Sequence, residues 1–248
     1  MPKGPKISAD ITRLFTDLEL PERIGAAAEA GFKAVEIPLP YDHPAPALRD
    51  TAVFAGIPIV RMDAPPPNYT GGVQGFAAQP ESAERFRRDV ARAVRQAAVL
   101  GAPLVHLRAG TDGPGDSGVL VDNLRFAAQS APKATFLVAL LNPRCHPGHC
   151  LATPEAVTGI LARVGQPNVK LLFSSWHANR QPDGLRASWE ICAPHVGHVL
   201  LGGGHAGESD HRAQAMLELA RMSGYTGWAC AAYAPKSTTR ASLGWLTS

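Results

Sequence analysis

Cys145, Cys150, Cys192 and Cys230 are the only cysteines in 248 residues, which excludes the disulfide framework of a small secreted protein. Charge is thin too. Charged residues make up 18%, and the net charge of +3 includes no basic block, so nothing marks nucleic acid as a dedicated partner. No apolar run approaches the ~20 residues that cross a bilayer, and the opening MPKGPKISAD lacks the apolar core of a signal peptide. No glycine fingerprint follows the first apolar run, where ISADITRLF stands, and no Ser-centred elbow has a recognisable setting. What is present is 45% hydrophobic, the composition of a globular protein with a sizeable core. With no linker or composition shift to divide it, the chain reads as one domain over residues 1–248, soluble and cytoplasmic, with homo-oligomerisation left open.

Short apolar, β-rich runs alternate with helical patterns from end to end. The runs are Lys6–Ile11, Ala34–Leu39, Ile57–Ala64, Pro103–Ala109, Thr135–Asn142, Val169–Ser175, Val196–Gly203 and Gly227–Tyr233. They are continuous rather than strictly alternating, as in a parallel sheet covered by helices. The clearest helix is Pro80–Leu100, where Phe86, Val90, Val94 and Ala97 recur at helical spacing and arginines take the other face. In TPEAVTGILARVG, Thr153 is placed as N-cap, Pro154 at the first helical position and Gly165 at the stop. DHRAQAMLELARMSG repeats that logic from Asp210 to Gly224. Eight strand–helix units in about 250 residues is the arithmetic of a single (β/α)8 TIM barrel, of the α/β class.

In such barrels the working residues stand at the C-terminal ends of the strands and in the loops that follow. Those ends carry Asp10; Glu36 with Pro40-Tyr41-Asp42; Arg61 and Asp63; and His106 and Arg108. The later ones carry Ala139 and Asn142; Ser174 and His177; Gly202-Gly203-Gly204 with His205; and Ala231-Ala232 with Tyr233. The first half of the mouth is polar and the second nearly bare.

These residues lie in an ordered series of segments: ISADITRLF, GFKAVEIPLPYD, VDNLRFAA, NPRCHPGHCLATPEA, SSWHANRQPDG, VGHVLLGGGHAGE, GYTGWACAAYAP and SLGWL. In order and spacing they resemble the hydroxypyruvate isomerase family, within the xylose isomerase-like TIM barrels, over essentially the whole chain. The resemblance implies isomerisation of a small α-hydroxy-carbonyl acid through an enediolate. In the family Mg²⁺ or Mn²⁺ polarises both oxygens and carboxylates move the proton. It also implies where the cation's ligands would stand. A glutamate falls on Ala139, an aspartate on Ser174, a glutamine on Leu200 and a second glutamate on Ala232, and the family's basic residue falls on Ala206.

With those four positions replaced, the expectation is no metal cofactor and a wider, more apolar pocket. The first reading is a degenerate or repurposed barrel, a pseudoenzyme of carbohydrate metabolism. It would bind a small hydroxy acid, keto acid or sugar acid through Arg61, Arg108, Asn142 and Tyr233. The alternative is an isomerase working without metal through Glu36, Asp63, His177 and His205, pairing a carboxylate base with a neutral histidine. Against it, Arg61 and Arg108 read better as charges that neutralise Glu36 and Asp63, because buried charges must pair. A third reading is a Zn²⁺ knuckle of Cys145, His146, His149 and Cys150 in CHPGHC. Adjacent residues seldom aim both side chains at one ion, and Pro147-Gly148 fits a turn, so a polar loop with free thiols is the preferred account.

Overall fold

The computed structural model describes residues 4–65, 75–110, 113–202 and 210–246. The apolar runs become β1 (Lys6–Asp10), β2 (Ala34–Glu36), β3 (Ile59–Asp63), β4 (Leu104–His106), β5 (Thr135–Ala139), β6 (Val169–Ser174), β7 (Val196–Leu201) and β8 (Trp228–Ala231). Every neighbouring pair is parallel, and β8 pairs back onto β1, so the sheet closes in sequence order into the expected (β/α)8 barrel. Helices α1 (Leu20–Glu29), α2 (Ala45–Phe54), α3 (Ala83–Leu100), α4 (Ser117–Ser130), α5 (Pro154–Val164), α6 (Ser175–Ala178), α7 (Gly184–Cys192) and α8 (Asp210–Met222) fill the connections. Among the described residues no helix is long and apolar enough to cross a membrane.

Strand parity sorts the side chains into two cores. On β5, Phe136 and Val138 enter the main core beneath the helices. Leu137 faces the other way and joins Leu104 and Leu172 in a separate cluster inside the barrel, with Ala139, Leu200 and Trp228 packed against it. This two-residue period governs the mouth as well, because residues two apart on one strand share the interior.

The helix signals hold. Thr153 accepts a hydrogen bond from the Ala156 amide, Pro154 opens α5, and Gly165 ends it at φ 64°, a left-handed conformation that glycine adopts without strain. In α3 the buried stripe is Phe86, Val90, Ala93, Ala97 and Leu100; Val94 is only half-buried, and the first turn, Pro80–Ser82, is a 3₁₀ helix. Several strands are shorter than the apolar runs. β2 stops at Glu36 because Pro38 and Pro40 have no amide to give a ladder. The run after β4 leaves the barrel to meet another segment, with Gly75 forming an antiparallel bridge to Ala109. There Gly75, at φ 106°, packs so tightly that a Cβ would lie 2.2 Å from the Arg108 carbonyl oxygen.

Candidate functional site

The polar side of the mouth is built on β1 to β4. Register places Glu36 beside Arg61 and Asp63 beside His106. Arg61 Nε donates to Glu36 Oε2 at 2.5 Å, and its Nη1 donates to Asp63 Oδ1. Arg108 donates to Asp63 Oδ2 through Nε (3.0 Å) and Nη2 (2.8 Å). Ser8 Oγ donates to Glu36 Oε1 at 2.6 Å, and His198 Nε2 lies 2.8 Å from that oxygen. His106 Nδ1 lies 3.2 Å from Asp63 Oδ2, close enough for a charge contact but without the alignment of a hydrogen bond. Glu36, Arg61 and Asp63 are all buried.

Burial alone would raise the Glu36 carboxyl, but His198, Arg61 and Ser8 together hold it well below the usual range. Burial would likewise raise Asp63, and Arg61, His106 and Arg108 reverse that. Both acids are therefore locked as anions. An anion so strongly held is a poor proton acceptor, and Glu36 does not line the cavity at all.

Asp10 behaves differently. Burial raises its carboxyl, with Glu36 adding to the rise while Arg61, Thr12 and Arg13 oppose it. Its Oδ1 accepts from the Thr12 amide (3.0 Å) and hydroxyl (2.6 Å), and Arg13 Nε stands 3.5 Å from Oδ2. Asp10 lines the cavity. Its place at the end of β1 was visible in the sequence; its raised affinity for a proton depends on burial, which residue order does not reveal.

On the opposite wall, Asn142 and His177 meet. Asn142 Oδ1 accepts the amides of Arg144 (3.1 Å) and Cys145 (3.0 Å), which leaves its Nδ2 facing His177 Nδ1 at 2.8 Å. An amide nitrogen only donates, so Nδ1 is the acceptor and His177 carries its proton on Nε2. Burial, then His146 and Arg180, lower its pKa to about 4, so the ring is neutral. Asn142 is thus the residue that sets the His177 tautomer.

Between these walls lies a cavity of about 790 Å³. Ala139, Ser174, Leu200 and Ala232 all line it. The four positions that the resemblance assigns to cation ligands therefore do converge on one space, and only Ser174 brings a heteroatom there. Ser174 Oγ donates to the Gly202 carbonyl at 3.2 Å.

Other predicted residues do different work. Tyr233 is not in the cavity wall: its hydroxyl binds Ser242 (3.1 Å to the carbonyl) and accepts from Trp245 Nε1 (3.1 Å), tying down the C-terminal segment. His205 and Ala206 lie outside the described residues. In CHPGHC, His149 has both nitrogens engaged, Nε2 with the Gly110 carbonyl (2.7 Å) and Nδ1 with the Leu151 amide (3.0 Å). Cys145 is exposed, and no three ligand atoms of this loop gather at one point. Among the described residues the one such gathering is Glu36, His198 and Cys230, within 4.8 Å of one another. There the Arg61 guanidinium already supplies the positive charge that Glu36 requires.

The closed parallel barrel, with a polar cleft at the C-terminal ends of its strands, defines a (β/α)8 TIM barrel. Residues 24–248 match the family described as xylose isomerase-like TIM barrel, and the chain belongs to that family. The 2-oxo-tetronate isomerase of Cupriavidus necator is 29% identical over 98% of this chain and 97% of its own length. The hydroxypyruvate isomerase of Escherichia coli is 28% identical over 97% of this chain and 98% of its own. The crystal structure of an AP endonuclease, family 2, from Brucella melitensis superposes with a TM-score of 0.89 at 27% identity, covering 98% of both chains. At the family level the chain is isomerase-like, as its ordered motifs implied.

Replacing Arg61 by Met leaves Glu36 and Asp63 buried without their shared partner, an expected loss of about 3–5 kcal/mol at pH 7. Both carboxyls are depressed in the folded protein, so their contribution is present above the unfolded carboxylate range and is lost as pH falls through their folded values. The penalty of Arg61→Met should accordingly shrink toward pH 4, as the unpaired acids take up protons. Urea denaturation at both pH values checks this, and an equal penalty at both would contradict it. Asp10 has the opposite sign. Its folded pKa is raised, so ionising it costs stability as pH rises above the unfolded value. Asp10→Asn should raise Tm by about 2–4 °C at pH 7 and leave it unchanged near pH 3; a lower Tm at pH 7 would refute the assignment.

Proposed function

We propose that this barrel binds a small hydroxy or keto acid at its mouth and does not use the divalent cation of its family. One observation carries the reading. The four positions that would ligate the cation share a single cavity, and Ala139, Leu200 and Ala232 offer no donor atom while Ser174 Oγ already donates to Gly202. Such a set does not fit Mg²⁺ or Mn²⁺, which require several oxygen ligands. The names of the relatives, hydroxypyruvate isomerase and 2-oxo-tetronate isomerase, point to small keto acids as the ligand class. Arg13 lines the cavity and is exposed, so a ligand carboxylate can reach it, with Arg108 beside it adding positive charge while its Nε and Nη2 donate to Asp63.

A second reading keeps turnover. Asp10 sits in the cavity wall with a raised carboxyl, and His177 presents a neutral imidazole with its proton on Nε2. A carboxylate base and a neutral histidine are sufficient parts for enediolate chemistry without metal. In this version Asp10 takes the role first given to Glu36 and Asp63, because those two are locked by arginine.

Proton NMR of hydroxypyruvate in D₂O separates the readings. With protein present, the proposal expects saturation transfer to the ligand and no deuterium incorporation that depends on Mg²⁺ or Mn²⁺. Incorporation unaffected by chelator and abolished in Asp10→Asn would establish the second reading. Incorporation only with added cation would overturn the proposal.

A further inference from the structure

The mouth is divided. Asp10, Arg13, Asp63, His106 and Arg108 line one side, from β1, β3 and β4 with the loops that follow. Leu141, Leu151, Leu172, Leu200 and Ala232, together with Ala139, line most of the other, with Ser174, His146 and His177 at its edge. Register makes this second wall continuous, because Ala139 pairs with Leu172 and Ser174 with Leu200 on adjacent strands. Ala139 and Leu200 remain only half-buried, although they belong to the barrel interior, and Leu141 in the loop after β5 is half-buried too. Trp176 extends the wall, its ring held by the Arg180 guanidinium at 4.0 Å.

Two physical consequences follow. A hydroxyl placed against the leucine wall gives up hydrogen bonds to water and gains none, which is unfavourable. An alkyl group placed there gains about fourfold in affinity per buried methylene. The volume of about 790 Å³ is also within the range of ligands several times larger than a three-carbon acid.

Building on the small-acid reading above, we propose that the ligand is a 2-oxo or 2-hydroxy acid with an apolar tail. The carboxylate lies toward Arg13 and Arg108, and the tail covers Leu172, Leu200 and Ala232. Loss of the cation ligands and gain of an apolar specificity wall are then the same set of substitutions. The polar half keeps a head group that the relatives' substrates share. The leucine half selects the remainder of the molecule.

Isothermal titration of the full chain at pH 7 with hydroxypyruvate and with the straight series pyruvate, 2-oxobutanoate, 2-oxopentanoate and 2-oxohexanoate tests this. Affinity should rise about fourfold per added methylene, with 2-oxohexanoate at least tenfold tighter than hydroxypyruvate. Leu200→Gln should flatten the series; the wild-type series stands as the test if that variant does not fold. Binding of hydroxypyruvate with affinity flat or falling along the series would overturn the apolar-tail proposal and leave the small-acid reading intact. No binding by any member would overturn both. Equal binding of hexan-2-one, which lacks the carboxylate, would overturn the assignment of Arg13 and Arg108.

Discussion

One guanidinium holds the polar half of this barrel together. Arg61 is buried between two buried carboxylates, donating to Glu36 through Nε and to Asp63 through Nη1. Its planar fork serves two partners in different directions, which the point charge of a lysine could not do in the same geometry. Burial of three charges is costly, and such a cluster adds little net stability compared with apolar packing. What it fixes is arrangement. It joins β2 to β3, orients Asp63 toward His106 and Arg108, and draws Glu36 down into a network with Ser8 and His198.

That arrangement decides which groups remain available for chemistry. Glu36 and Asp63 spend their charge on arginine, whereas Asp10 is buried with weaker compensation and holds its proton more readily. His177 is kept neutral, with Asn142 fixing its tautomer. The opposite wall sets Ala139, Leu172, Leu200 and Ala232 beside Ser174, His146 and His177.

Much of this was legible in residue order. Continuous apolar runs with helical patterns between them specify a parallel barrel, and strand ends locate its mouth. The family resemblance assigned Ala139, Ser174, Leu200 and Ala232 to one site, and the structure brings all four to one cavity. What residue order did not show is depth. Glu36 ends β2 but does not line the cavity, while Asp10, its register partner on β1, does. Tyr233 looked like a mouth residue because it follows β8; its hydroxyl is claimed by Ser242 and Trp245, a contact set by the path of the last residues. The segment after β6 forms two helices, α6 and α7, separated by Asn179-Arg180-Gln181-Pro182-Asp183, and Gly184 opens α7 at φ 76°.

The proposal of a cation-free mouth is tested most directly by titrating the protein with Mn²⁺ and following free Mn²⁺ by electron paramagnetic resonance. The account predicts no site tighter than about 1 mM, since the four family positions bring only the Ser174 hydroxyl and, among the described residues, no three His, Cys, Asp or Glu ligand atoms of the cavity wall gather at one point. One equivalent of Mn²⁺ bound with micromolar affinity, and released on adding a keto acid or strengthened by it, would place a metal at the mouth and contradict the account.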